Sequence, residues 1–127
     1  MRDLRFPREE RLKSRTSIGI LFSRASRSTG ADGLRLIWTA SPEPLERGVQ
    51  VLVAAPKKHF KRAVVRNRIK RLLREAWRME RGSLPQDWLR AQQPKLLGLV
   101  YSGPSEPSLA ALRATLRTLL DRAPWSA

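Results

Sequence analysis

One segment leaves this chain little freedom in how it folds. Across residues 61–81, Val65, Ile69, Leu72, Leu73 and Ala76 recur at i, i+4, i+7, i+8 and i+11. That is the period of an α-helix, and it gathers the five side chains into one stripe. At about 100° per residue, Asn67, Lys70, Arg71, Arg74 and Arg78 fall opposite the stripe, with Arg66 and Arg68 flanking them. Such a helix must lay its stripe on another apolar layer and keep its cations in water. Gly82-Ser83-Leu84-Pro85 ends it.

The apolar layer has to come from the rest of the chain. Leu34-Arg35-Leu36-Ile37-Trp38-Thr39-Ala40 and Val49-Gln50-Val51-Leu52-Val53-Ala54-Ala55 are short, rich in strand-favouring residues, and separated by turn chemistry at Ser41-Pro42-Glu43-Pro44. Their short connection predicts an antiparallel pair. Lys95 to Ser102 reads as a further strand, closed by Gly103-Pro104. A first helix is expected at about 14–26 from the spacing of Leu12, Ile18, Leu21 and Phe22, with Ser14 and Thr16 available as caps and residues 28–33 forming the loop after it. A last helix starts near Ser108, with Leu109, Leu112, Leu116, Leu119 and Leu120 on one face. Residues 84–94 read as a connection with room for a helical turn around Trp88. The predicted order is α-β-β-α-β-α, an α+β fold with helices packed on a small sheet. Its 127 residues suit a single domain, with 1–13 as a flexible basic arm.

Charge narrows the partners. Twenty-six Lys and Arg face eleven Asp and Glu, a net charge of +15 with a pI near 11.7. Residues 57–81 hold eleven of those cations against only Glu75 and Glu80, so +9 of the +15 lies in one fifth of the chain. Like charges four apart, such as Lys70 and Arg74, each destabilise an isolated helix by a few tenths of a kcal/mol. A solvated face is the ordinary explanation of a charge run. The single sign here points instead to a phosphate-binding ridge, because phosphates relieve the repulsion and binding releases condensed counterions. The chain has no cysteine, which excludes disulfides and thiolate metal sites. No segment approaches about 18 uninterrupted apolar residues and no signal peptide is evident, so a cytoplasmic protein without membrane association is expected.

The ridge also carries a specific pattern. Lys57-Lys58, followed by Arg62-Ala63-Val64-Val65-Arg66-Asn67-Arg68-Ile69-Lys70-Arg71-Leu72-Leu73-Arg74-Glu75-Ala76-Trp77-Arg78, closely resembles the signature of the bacterial ribonuclease P protein component. The Arg66-Asn67-Arg68 triplet with Lys70-Arg71 after it is that family's hallmark, and the likeness runs from about Arg11 to Leu120. The resemblance implies that this helix docks on a catalytic RNA, through Arg62, Arg66, Asn67, Arg68, Lys70, Arg71 and Arg74. Guanidinium groups suit that work because they fork to phosphate oxygens and stack on bases. Asn67 both donates and accepts, which suits a base edge or ribose hydroxyl, though a local backbone bond would explain it equally.

The resemblance further implies a cleft between the first helix and the sheet that holds the single-stranded 5′ leader of precursor tRNA. Phe22 matches an aromatic of that cleft, Lys57 and Lys58 lie at its rim, and Ile18 stands where the family usually has another aromatic. Pro56 replaces the Ser common before the two lysines. From the residues alone Phe22 is open between core and base stacking. The family also implies a left-handed βαβ crossover, an exception to the usual hand. Its function would be to assist endonucleolytic removal of the leader, leaving the mature tRNA 5′ end. The holoenzyme would need Mg²⁺, held mainly by RNA, and no protein partner is predicted.

A protein nuclease needs a metal cluster or a positioned acid and base. His59 is the only histidine, the acids are scattered, and Glu75 is best explained as a partner for Arg71 or Arg78. His59 reads as a loop or RNA contact. No catalytic residues and no metal ligands are therefore expected in the chain itself. Trp38 and Trp77 read as core, while Trp88 and Trp125 stay undecided. The competing readings are a ribosomal or assembly protein, a DNA-binding regulator using 61–81 as recognition helix, and a peripheral membrane protein. The regulator lacks a paired helix just before the ridge, and the membrane reading fits poorly with a stripe matched to a sheet.

Overall fold

The computed structural model describes residues 11–12, 15–23, 27–41, 49–81 and 95–122. Its elements are α1 (Arg15–Leu21), β1 (Arg27–Ala31), β2 (Leu34–Ala40), β3 (Val49–Ala54), α2 (Ala63–Glu80), β4 (Lys95–Tyr101) and α3 (Leu109–Arg122). The strands form one mixed sheet in the order β1-β2-β4-β3. The Ser14 cap, most of the arm, the turn at 42–44, the 84–94 connection, Trp88 and Trp125 lie outside the described residues.

The α+β expectation holds, with two differences. The first is an added strand. Residues expected to end a long first helix and form a loop instead make β1, paired antiparallel with β2 from Arg27↔Trp38 to Ala31↔Leu34. Asp32 (φ 50°) and Gly33 (φ 84°) form the two-residue turn, whose left-handed backbone matches strand twist. A side chain on Gly33 would also meet the backbone of Gly103 at 2.7 Å. β1 is an edge strand with three of its five residues exposed, so it has no apolar alternation to betray it. α1 stops at Leu21, where Ser23 donates through both its backbone N and its Oγ to the Ile20 carbonyl, at 3.1 and 2.7 Å.

The second difference corrects the strand pairing. β2 and β3 are not neighbours: β4 lies between them, antiparallel to β2 (Leu36↔Leu99) and parallel to β3 (Val51↔Leu97). The reason lies in their side chains. Leu96, Leu97, Gly98 and Leu99 are all buried, which requires cover on both faces and hence a central strand. β2 and β3 instead alternate between buried and less buried residues. The outer edge of β3 is joined by the arm, where the Leu12 amide donates to the Val51 carbonyl at 3.0 Å.

Each face of the sheet has its own apolar cluster. On one, Leu36, Val51, Val53, Leu97 and Leu99 pack with Ile69, Leu73, Ala76 and Trp77 of α2 and with Leu112, Leu116, Leu119 and Leu120 of α3. On the other, Leu12, Leu21 and Leu96 pack with Ile18, Ile20, Ile37 and Leu52. A Cβ on Gly98 would sit 3.1 Å from Leu21 Cδ2, so the missing side chain lets α1 close down on β4. Both predicted helical stripes face the core, with Val65, Leu72 and Leu109 only partly buried, and each fully buried leucine contributes about 1.5–3 kcal/mol. Trp38 and Trp77 are core residues. Among the described residues no helix is long and apolar enough to cross a membrane.

Candidate RNA-binding surface

The stripe fixes α2 on the sheet, and its other side therefore faces outward. Asn67, Arg68, Arg71 and Arg74 are exposed, while Arg66 and Lys70 are half-buried. The start of the helix adds to the positive field. Arg62 is the N-cap residue and offers no side-chain cap; its carbonyl accepts from the amides of Val65 and Arg66, both at 3.1 Å. With no acid in the first turn, the positive end of the helix dipole is left uncompensated beside Lys61 and Arg62, an arrangement that favours anions.

The turn that carries Lys57, Lys58 and His59 is held from beneath. The amides of His59 and Phe60 both donate to the Pro56 carbonyl, at 3.0 and 3.1 Å, and the buried Phe60 ring stacks on Tyr101 with centroids 5.9 Å apart. Lys57, Lys58 and His59 are thereby presented to solvent. Arg66 closes the same junction: its Nη1 donates to the carbonyls of Phe60 and Lys61, both at 2.8 Å. One member of the triplet therefore works locally, tying the turn to the helix start.

The other ridge cations differ in their surroundings. Arg68 Nη1 donates to Glu106 Oε1 at 2.7 Å, from the segment between β4 and α3. Arg78 is engaged by Glu75, as expected from the sequence: its Nε lies 3.1 Å from both carboxylate oxygens, and Nη2 bonds to Oε1. That hydrogen bond, outweighing burial, holds the Glu75 carboxyl below its ordinary value and raises Arg78 above its own. Arg74 is pushed the other way, by burial first and then by the positive charge of Arg11. Arg11 is thus a further cation beside the ridge, contributed by the arm and missed in the sequence because it is 63 positions distant.

At the far end of α2, Glu80 is buried at 1% exposure and receives one guanidinium on each oxygen: Arg113 Nε at 2.7 Å from Oε2 and Arg117 Nε at 2.9 Å from Oε1. This triad joins the ridge helix to α3. Among the described residues no group of three or more His, Cys, Asp and Glu comes together in a way able to hold a metal ion.

Of the residues expected at a leader cleft, Ile18 and Phe22 belong to α1 and the residue after it, on the face of the sheet away from α2. Ile18 is half-buried in the α1 cluster. Leu21 takes the core position, and its neighbour Phe22 is 50% exposed, so Phe22 is not a core residue. Leu21 rests over Gly98, whose register partner is Leu52, and the Lys57-Lys58 turn follows three residues after the end of β3.

Comparison with known proteins gives a consistent outcome. The family model described as Ribonuclease P matches residues 6–124. A ribonuclease P protein component of Chlorobaculum tepidum is 37% identical over 124 residues, covering 90% of this chain and 79% of that protein. Two solved structures share the fold at lower identity. The RNase P protein of Staphylococcus aureus has a TM-score of 0.69 at 17% identity, covering 91% of this chain and 95% of its own. That of Thermotoga maritima has a TM-score of 0.68 at 18% identity, covering 90% and 97%. With the family matched over nearly its whole length and the fold shared with two solved members, this chain belongs to the bacterial ribonuclease P protein component family.

Proposed function

We propose that this protein binds the catalytic RNA of ribonuclease P through the outward face of α2 and the 5′ leader of precursor tRNA through the α1 side of the sheet. It thereby assists removal of the leader without cutting RNA itself. The observation that carries this reading is the outward face of α2, where Asn67, Arg68, Arg71 and Arg74 stand exposed behind a helix start free of acids. Arg62, Arg66 and Lys70 complete the RNA-binding set. Such a face binds phosphates through charge and counterion release, while Asn67 supplies the donor and acceptor for a base edge or 2′-hydroxyl.

Hydrolysis of the phosphodiester falls to the RNA in this reading, and the Mg²⁺ that the holoenzyme would need would be held mainly by RNA. Several of the protein's acids have other work: Glu75 holds Arg78, Glu80 holds Arg113 and Arg117, and Glu106 holds Arg68. The chain's own contribution is to neutralise phosphates, orient the RNA, and hold the leader on Phe22, Ile18, Lys57 and Lys58.

The test is reconstitution. The purified protein should stimulate 5′ cleavage of precursor tRNA by a bacterial catalytic RNA at low Mg²⁺ and be inert alone. No stimulation with either cognate or heterologous RNA defeats the proposal. Because Phe22 is half exposed, Phe22→Ala should leave the fold intact and remove a stacking contact of about 1–3 kcal/mol. The expected result is a reduced preference for substrates with a leader over mature tRNA, measured by competition binding. An unchanged preference takes Phe22 out of the leader site.

A further inference from the structure

Among the ridge residues, Arg68 has an unusual partner. Its guanidinium meets a full carboxylate, that of Glu106, which comes from 38 positions away. The segment bearing Glu106 is braced in several ways. Tyr101 donates its hydroxyl to the Ser105 carbonyl at 2.9 Å, and the Tyr101 ring is itself stacked on Phe60 at the root of α2. The Ser102 amide donates to the Gly33 carbonyl at 2.8 Å, and Pro104 and Pro107 bracket the acid. On its far side Ser108 caps α3, its Oγ accepting from the Ala111 amide at 3.1 Å. Glu106 is therefore presented to Arg68 by fixed backbone.

The contact itself is weakly held. The two side chains are 55% and 41% exposed, and a single N–H donates to a single oxygen. Exposed pairs of this kind are modest in strength and screened by salt. A guanidinium has five donors in a fork that matches phosphate bidentately, so an RNA phosphate offers Arg68 a better partner than Glu106 does. Released, Glu106 stays just ahead of the α3 N-terminus, where negative charge is favoured.

We propose that Glu106 is an intramolecular counterion standing in for an RNA phosphate on Arg68, and that Arg68 exchanges it for phosphate when the catalytic RNA binds. Glu106 then sets affinity. It relieves repulsion along the ridge in the free protein, and it is a competitor that the RNA must displace. The two roles have opposite signs when the acid is removed, and both must act through Arg68.

The inference rests on the RNA-binding reading of α2, and a double-mutant cycle separates the two. Binding of the full-length protein to the catalytic RNA would be measured for wild type, Glu106→Gln, Arg68→Ala and the double variant, with thermal unfolding of each. Arg68→Ala alone should weaken binding and lower the salt slope by about one unit. Glu106→Gln should tighten binding by about two- to fivefold while lowering Tm by about 2–4 °C, the size of an exposed pair. In the Arg68→Ala background, Glu106→Gln should no longer tighten binding. If Arg68→Ala leaves RNA affinity and slope unchanged, the RNA-binding reading of this part of α2 fails. If Arg68→Ala weakens binding but Glu106→Gln does not tighten it, the exchange is wrong. Equal tightening with and without Arg68 also overturns it, because that would be a general effect of removing an acid.

Discussion

Replacing Arg113 and Arg117 together by methionine is expected to lower the unfolding free energy at pH 7 by about 3–5 kcal/mol, the range for breaking a buried ion pair from one side. The carboxylate of Glu80 is 1% exposed, and each oxygen has one guanidinium. Methionine keeps much of the apolar stem that covers the site and removes only the charge. Burial by itself pushes the Glu80 carboxyl up; the hydrogen bonds from Arg113 and Arg117, followed by their charges, outweigh burial and hold it below its ordinary value. In the wild type, ionised Glu80 therefore adds stability above its unfolded-state pKa, and this is lost as pH falls through the lower folded-state value. With both arginines gone the hydrogen bonds and charges that outweigh burial are lost, so the folded-state pKa moves up, past the unfolded one. The penalty is then full at neutral pH and disappears as the medium is acidified. Urea unfolding at pH 7 and near pH 4 reads both effects. A loss below about 1 kcal/mol, with the pH trend unaltered, would show that the triad is not what joins α2 to α3. Adding Glu80→Met to the double variant should restore most of the stability, because it removes the uncompensated charge.

The second large effect concerns binding. Changing Lys70, Arg71 and Arg74 together to glutamine should reduce affinity for the catalytic RNA by on the order of 10²-fold at about 0.15 M salt, and flatten the dependence of log K on log salt by about two to three units. Stability should move the other way or stay level. Lys70 and Arg74 repel at i and i+4, and Arg74 feels the charge of Arg11 as well. A variant that folds at least as well and binds far worse separates the ridge from the core beneath it. Wild-type affinity and slope in such a variant would refute the ridge as the RNA surface.

Much of this surface was legible in the sequence, for a simple reason. Residues of one helix are placed relative to one another by the helical period alone, so the stripe of Val65, Ile69, Leu73 and Ala76 and the cations opposite it needed no tertiary information. Glu80 could have been found the same way. It continues the stripe four residues beyond Ala76, and an acid in a buried slot asks for cations, which Arg113 and Arg117 supply four apart on the leucine helix. β1 was not legible, since an exposed edge strand needs no apolar pattern. Its one signal was Asp32-Gly33, a two-residue hairpin turn. Strand order does not follow from the short connection between β2 and β3; the unbroken apolar run of β4 is the feature that marks a central strand.

What the sequence by itself determined is therefore local and one-dimensional: the helix of Ala63–Glu80, its buried and basic faces, the leucine face of Leu109–Arg122, and a family pattern carried by Arg66-Asn67-Arg68. Only the tertiary structure decided that β4 divides β2 from β3, that Leu21 turns inward and Phe22 outward, and that Arg11 lies near Arg74. It also decided that Glu106 meets Arg68. Those relations join residues far apart in the chain, or turn on which side of a helix end is covered. No period or propensity encodes them; they arise when the sheet closes and brings distant segments to the same place.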